Sequence, residues 1–131
     1  TTASYVIWNN KGSFTWEELP KEVQFSPVKK MLVKDLNNDK FPDIMLAGND
    51  FGFEVSTGYY EANKGLVLLN KGNKKFDVLN PSQSGFLTRG QIDALLYLDG
   101  KKPKVVVGVN RGKLLVFEKT NGQAAINNKN Q

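Results

Sequence analysis

The chain contains no cysteine and no histidine. Without cysteine there is no disulfide, no thiol nucleophile and no zinc–thiolate site. The redox compartment stays open, since a reduced cytosol and a cysteine-poor bacterial exterior both permit none. Without histidine, the commonest general base near neutral pH and the commonest transition-metal ligand are missing. Arginine is scarce too, with Arg89 and Arg111 alone. A nucleic-acid face wants a continuous basic stripe, preferably with arginine. Here the net charge of +5 comes mostly from lysine, in pairs such as Lys29-Lys30, Lys74-Lys75 and Lys101-Lys102 that acids interrupt. Solvated lysines explain this pattern, with a weak attraction to anionic surfaces or acidic glycans beside it; no nucleic-acid partner is expected. No run approaches the ~18 consecutive apolar residues of a membrane helix. The opening Thr-Thr-Ala-Ser-Tyr has no signal-peptide pattern, which suits a processed start or a piece of something longer.

What the chain does have is strand and turn chemistry. At 131 residues it fits one domain by length, and its apolar content of 40% can supply a core. Short Val-, Leu- and aromatic-rich runs alternate with Gly and Asn turns. They predict strands at Ser4–Trp8, Ser13–Leu19, Val28–Asp35, Asp43–Ala47, Leu66–Leu69, Lys75–Leu79, Ile92–Leu98, Lys104–Val109 and Lys113–Glu118. No helical period of useful length competes. The fold class is all-β.

The chain also repeats itself. Shifted by 61 residues, Val6-Ile-Trp-Asn9 falls on Val67-Leu-Leu-Asn70, and Pro42–Asn49 falls on Pro103–Asn110. A four-stranded unit recurring at this length predicts antiparallel β-propeller blades. On this reading residues 1–118 are about two blades of a larger propeller: a partial blade at 1–25, a full blade at 26–80 and a partial blade at 81–118. Residues 119–131 form a polar tail, expected to be disordered. A compact nine-stranded sandwich is the alternative; length favours it and the repeat disfavours it.

One loop carries the densest chemistry. In Asp35-Leu-Asn-Asn-Asp-Lys-Phe-Pro-Asp43, oxygen-bearing side chains recur at alternate positions, and a strand-like run follows. Short carboxylate and amide oxygens turned toward one point suit a hard cation, calcium above all; magnesium prefers a smaller octahedral shell with more water. The expected ligands are the side chains of Asp35, Asn37, Asp39 and Asp43 and the carbonyl of Phe41. The twelfth position of a helical calcium loop needs a bidentate Glu. Here it is Leu46, which argues for strand–loop–strand. A polar turn rich in Asp and Asn, without metal, is the simpler alternative. At the 61-residue shift, Asp35, Asn37, Asp39 and Asp43 become Leu96, Leu98, Gly100 and Lys104, so one Ca2+ site is expected rather than two.

The acidic loop, its following strand and Gly48-Asn-Asp-Phe-Gly52 resemble an FG-GAP or VCBS repeat of the integrin alpha-chain type, over about Ser26 to Glu118. The run Gly52–Asn70, and Gln83-Ser-Gly-Phe86 leading into Gly90-Gln-Ile-Asp93, resemble VCBS-repeat surface proteins of Bacteroidetes bacteria, near the C-terminal end of the propeller. The resemblance implies a seven-bladed or similar propeller, calcium in loops between the first and second strands of a blade, and an extracellular, cell-surface or periplasmic setting. It implies roles in adhesion and ligand binding. Two departures predict weaker calcium binding: Lys40 stands where the family loop has Gly, and Asn37 is a neutral ligand.

The segment Asp50–Lys64 has no counterpart in the last unit. Extra loops on one face of a repeat fold often carry function. Glu54, Tyr59 and Tyr60 are its candidate ligand-binding residues, for a glycan or a protein. Phe51 and Phe53 read better as packing, and the tyrosines equally well as cover for a neighbouring blade. Trp8 aligns with Leu69 and reads as core. Glu17 and Glu18 are neighbours in a strand and point to opposite faces, so they form no acid–base pair. Ser82, Ser84 and Thr88 have no base to activate them. The sequence thus predicts a non-catalytic, calcium-stabilised binding or adhesion module. Its partners are the remaining blades, as a companion chain or copies of itself. Two other readings are part of a polysaccharide-active enzyme whose catalytic blades lie elsewhere, and a structural repeat unit that self-assembles.

Overall fold

The computed structural model describes residues 3–25, 27–48, 64–120 and 126–128. Glu54, Tyr59 and Tyr60 lie outside them. The described chain is all-β and antiparallel. Its strands are β1 (Tyr5–Asn10), β2 (Ser13–Glu18), β3 (Val28–Lys34), β4 (Asp43–Gly48), β5 (Leu66–Asn70), β6 (Phe76–Leu79), β7 (Ile92–Leu98), β8 (Lys104–Val109), β9 (Leu114–Lys119) and β10 (Ile126–Asn128). Nine of these were legible in the sequence to within a residue or two at their ends. The tenth was not. β10 pairs antiparallel with β9, so the polar tail expected to be disordered contributes a strand through Ile126–Asn128. A short strand at a sheet edge needs only backbone pairing, which a polar sequence supplies as well as an apolar one.

The strands form a β1–β2 hairpin and two four-stranded sheets, ordered β3-β4-β5-β6 and β7-β8-β9-β10. Both sheets are simple meanders. Both also carry an irregularity at the same place in their first strand, between Val28 and Lys30 in β3 and between Ile92 and Ala94 in β7. The hairpin closes through Lys11-Gly12, both with positive φ. That is the primed-turn geometry whose twist matches the flanking strands.

The sheet β3–β6 lies in the middle. Alternate residues of β4 serve its two faces, as the pleat requires. Met45 and Ala47 join Val67, Phe86, Leu95, Val105, Val107 and Phe117 in the core against the second sheet. Ile44 and Leu46 join Leu68, Leu19 and Val23 on the hairpin side, with Val6, Phe76 and Val78 packed against them. Every residue of β4 is therefore buried. Phe86 and Phe117 meet edge to face with centroids 5.0 Å apart, at the centre of the first core. Trp8 is half-buried and stacks on Phe76 at 5.9 Å, so it packs as expected though at the margin of the core.

Two short helical turns were not foreseen. Lys21–Phe25 forms a 3-10 turn that buries Val23, and Pro81–Ser84 forms one helical turn. The second has a full set of end signals. The Asn80 side chain accepts from Gln83 N, the Gln83 side chain accepts from Asn80 N, Pro81 stands at the first position, and Gly85 closes the turn in the left-handed conformation. Ser82 and Ser84 belong to this cap: Ser82 Oγ donates to Asn80 Oδ1 and Ser84 Oγ to the Asn80 carbonyl.

Candidate metal loop

The β3–β4 connection, Asp35–Pro42, is folded by its own side chains. Asp35 accepts from Asp39 N (3.2 Å) and Lys40 N (2.9 Å). Asn37 Oδ1 accepts from Asp39 N, and Asn37 Nδ2 donates to Asp39 Oδ2. Asp39 Oδ1 accepts from Phe41 N at 2.8 Å. Each acid caps backbone N–H groups just downstream, the local habit that draws Asp and Asn into turns. The backbone must curl left-handed to allow it, and Asn38 (φ 62) and Lys40 (φ 73) do so. Lys40 thus takes the conformation that glycine ordinarily supplies at that loop position.

Asp43 differs from its neighbours in the loop. It is fully buried. Its Oδ2 accepts from Leu36 N and its Oδ1 from Asn70 N, both at 2.8 Å. The carboxylate pins the start of the loop and the end of β5 to one point. Burial pushes its pKa above the ordinary carboxylate range, the two backbone N–H groups pull it down, and the nearby Asp39 and Asp35 push it up.

Asn70 is the residue that sequence reasoning missed. It is buried, donates Nδ2–H to the Pro42 carbonyl at 3.1 Å, and accepts from Gly72 N at 2.9 Å. It therefore stitches the β5–β6 turn to the β3–β4 loop. Gly72 has φ +78, and a Cβ there would run into the Phe41 ring. The signal was present: Asn9 falls on Asn70 when the sequence is shifted by 61 residues, and Asn9 Oδ1 likewise accepts from Gly12 N.

The expected ligands Asp35, Asn37, Asp39 and Phe41 are exposed or half-buried around the loop, with Asp43 at its inner wall. Among the described residues, no three or more Asp, Glu, His or Cys groups are gathered closely enough to hold a metal ion. The donor set itself suits calcium, with three carboxylates, an amide oxygen and a carbonyl. Every carboxylate oxygen that takes one N–H keeps a further lone pair.

The companion loop lines up differently from the 61-residue shift. Lys34 faces Asp43 across β3–β4, and Leu98 faces Lys104 across β7–β8. The residue at Asp35's place is therefore Asp99, not Leu96. The connection Asp99–Pro103 is three residues shorter than Asp35–Pro42, so a gapless shift carries β7 out of register. Asp99 receives Lys34 Nζ at 3.1 Å, and the same ammonium lies 4.8 Å from the centroid of the Tyr97 ring. The two loops border a cleft of about 540 Å3 lined by Asp35, Asn38, Tyr97, Lys101, Lys102 and Glu118, among others.

Comparison with known proteins yields no match: no family model, no curated protein and no solved structure aligns with this chain.

Proposed function

We propose that this chain is a non-catalytic section of an extracellular β-propeller, stapled by one calcium ion, that binds a glycan or protein ligand. The observation that carries this reading is the repetition of one unit. Two consecutive four-stranded meanders share strand order and the site of their irregularity, and they stack through a continuous core. Stacked meanders of this kind are how propeller blades bury their faces. Both ends of the stack suit further blades. Tyr5, Ile7, Phe14 and Trp16 are exposed on the hairpin, and Leu96, Leu98 and Leu114 on the last sheet. Those apolar ends also favour the second reading, a repeat unit that assembles with copies of itself.

Calcium would be held by Asp35, Asn37, Asp39, Asp43 and the Phe41 carbonyl, on a loop whose Lys40 already has the required curl. Bound there, it would neutralise three carboxylates that repel one another. A neutral ligand and a non-glycine hinge suit the millimolar affinities of extracellular modules. The ligand contacts we assign to Glu54, Tyr59 and Tyr60. The non-catalytic reading rests on a chain without histidine and on Ser82 and Ser84 being taken up by the Asn80 cap.

Calorimetric titration of the chelator-treated chain tests the staple, and a glycan array run with and without calcium tests the ligand. One calcium per chain is expected, with binding lost in Asp39→Ala. Absence of binding, or two equivalent sites, would sink the staple. Release of oligosaccharides from any polysaccharide offered would replace the binding role with an enzymatic one.

A further inference from the structure

The cleft between the two loops has a charge balance of its own. Its volume of about 540 Å3 falls within the range of small-molecule sites, about 300–1,000 Å3. Strand pairing assembles it. Lys104 faces Glu118 across β8–β9, which brings Lys119 alongside the Asp99–Pro103 connection with its Lys101 and Lys102. On the other side β3 packs along β7, and the loop after β3 brings Asp35 and Asn38 to the cleft.

The acids around this cleft are largely engaged. Asp99 takes Lys34 at 3.1 Å, and Glu118 takes Lys104 at 3.4 Å. Asp35 accepts two backbone N–H groups of its own loop. Lys101, Lys102 and Lys119 line the cleft and are exposed. Among the described residues none of the three makes an ion pair. Like charges gathered along one concave wall raise the local concentration of anions. Half-buried Leu36, Tyr97 and Pro103 make part of that wall apolar.

The kind of cation indicates the kind of anion. A lysine is a point charge on a flexible stem, without the planar fork with which arginine grips one multiply charged group. Three lysines on two separate segments suit single charges spaced along a chain. A tyrosine ring beside the Asn38 amide suits the apolar face and the hydroxyls of a sugar.

We propose that this cleft binds an acidic oligosaccharide, with Lys101, Lys102 and Lys119 meeting its carboxylates and Tyr97 and Asn38 meeting its rings and hydroxyls. The inference rests on the reading of the chain as a glycan-binding module, and it names the class of glycan and a contact surface for it.

Tetragalacturonate is the probe, titrated calorimetrically into the full chain at low salt. Chelator is present throughout, so the result does not depend on calcium. Binding is expected, and Lys101→Gln with Lys102→Gln should weaken it about tenfold or more. Lys119→Gln, on a different strand, should weaken it in the same sense. Lys21→Gln with Lys113→Gln removes as much charge from exposed positions outside the cleft and should change binding less than about twofold. Neutral galactotetraose, and an acetylated and amidated tetraglutamate peptide, should each bind about tenfold more weakly than the probe. Equal losses in the two double variants would mean attraction to the whole basic surface and would overturn the proposal. So would equal binding of the peptide, which would make the cleft a site for acidic peptides, and so would no binding of tetragalacturonate. The glycan array separates this failure from that of the reading beneath it. Neutral glycans bound while tetragalacturonate is not would remove the cleft alone, and no glycan bound at all would remove both.

Discussion

The two four-stranded sheets share strand order and register, yet the residue at the start of their second strand is Asp43 in one and Lys104 in the other. Asp43 is buried and holds two backbone N–H groups. Lys104 is half-exposed and pairs with Glu118 at 3.4 Å. The strands that follow differ in the same sense. All of β4 is buried, whereas β8 buries only Val105 and Val107. The cause lies in position. β4 is covered on both faces and β8 on one. One strand pattern can therefore build both sheets, while a residue at a sheet's end takes its role from what packs around it.

The widest contrast is expected between the core and the outer hairpin face. Phe117→Ala opens a cavity beside Phe86 and should cost about 3–5 kcal/mol. Trp16→Ala, at 70% exposure, should leave the urea midpoint nearly unchanged. Comparable losses would mean that the hairpin face is covered in solution.

Next comes the contrast of Asp43 with Lys104. Asp43→Ala strands the N–H groups of Leu36 and Asn70 and should cost about 2–4 kcal/mol. Lys104→Ala takes a half-exposed ammonium from a carboxylate that is 14% exposed and should cost less than the loss of Asp43. Asp43 also makes a pH prediction. Its folded pKa lies above the unfolded value, so its contribution to stability is full below the ordinary carboxylate range and is lost as pH rises through the raised value. In calcium-free buffer, carboxyl NMR should show Asp43 titrating above the ordinary aspartate range. Titration within or below that range would mean that the N–H groups outweigh burial.

Smaller effects sharpen the picture at single atoms. Thr88 is fully buried, and its Oγ1 has no hydrogen-bond partner among the described residues. Thr88→Val keeps the shape and removes the stranded hydroxyl, so a gain of about 1 kcal/mol is expected. A loss would reveal a bound water there. Lys40→Gly relieves a left-handed lysine and should stabilise the loop by less than about 1 kcal/mol, since glycine also loosens the unfolded chain. Its sharper readout is calcium affinity, which should rise.

The strand runs were legible because burial of alternate residues leaves a mark in every sheet, as Met45 and Ala47 against Ile44 and Leu46 show. The acidic loop was legible as a turn for the same local reason, since Asp35, Asn37 and Asp39 cap N–H groups only a few residues away. The role of Asn70 was hidden, because its partner, the Pro42 carbonyl, is distant in sequence. β10 was hidden because backbone pairing asks little of side chains. The alignment of the two loops failed because a three-residue difference cannot be seen without the pairing of Leu98 with Lys104.

The sequence by itself therefore determined the all-β class, nine of the ten strands and the turn at the acidic loop. Each depends on contacts within a few residues or on periodic burial. Only the tertiary structure decided that Asp43 is an interior acceptor, that Asp99 rather than Leu96 matches Asp35, and that Met31 and Val33 are exposed while Leu32 between them packs in the core. Those facts depend on which strands meet and how many cover each face, and distant pairing sets both.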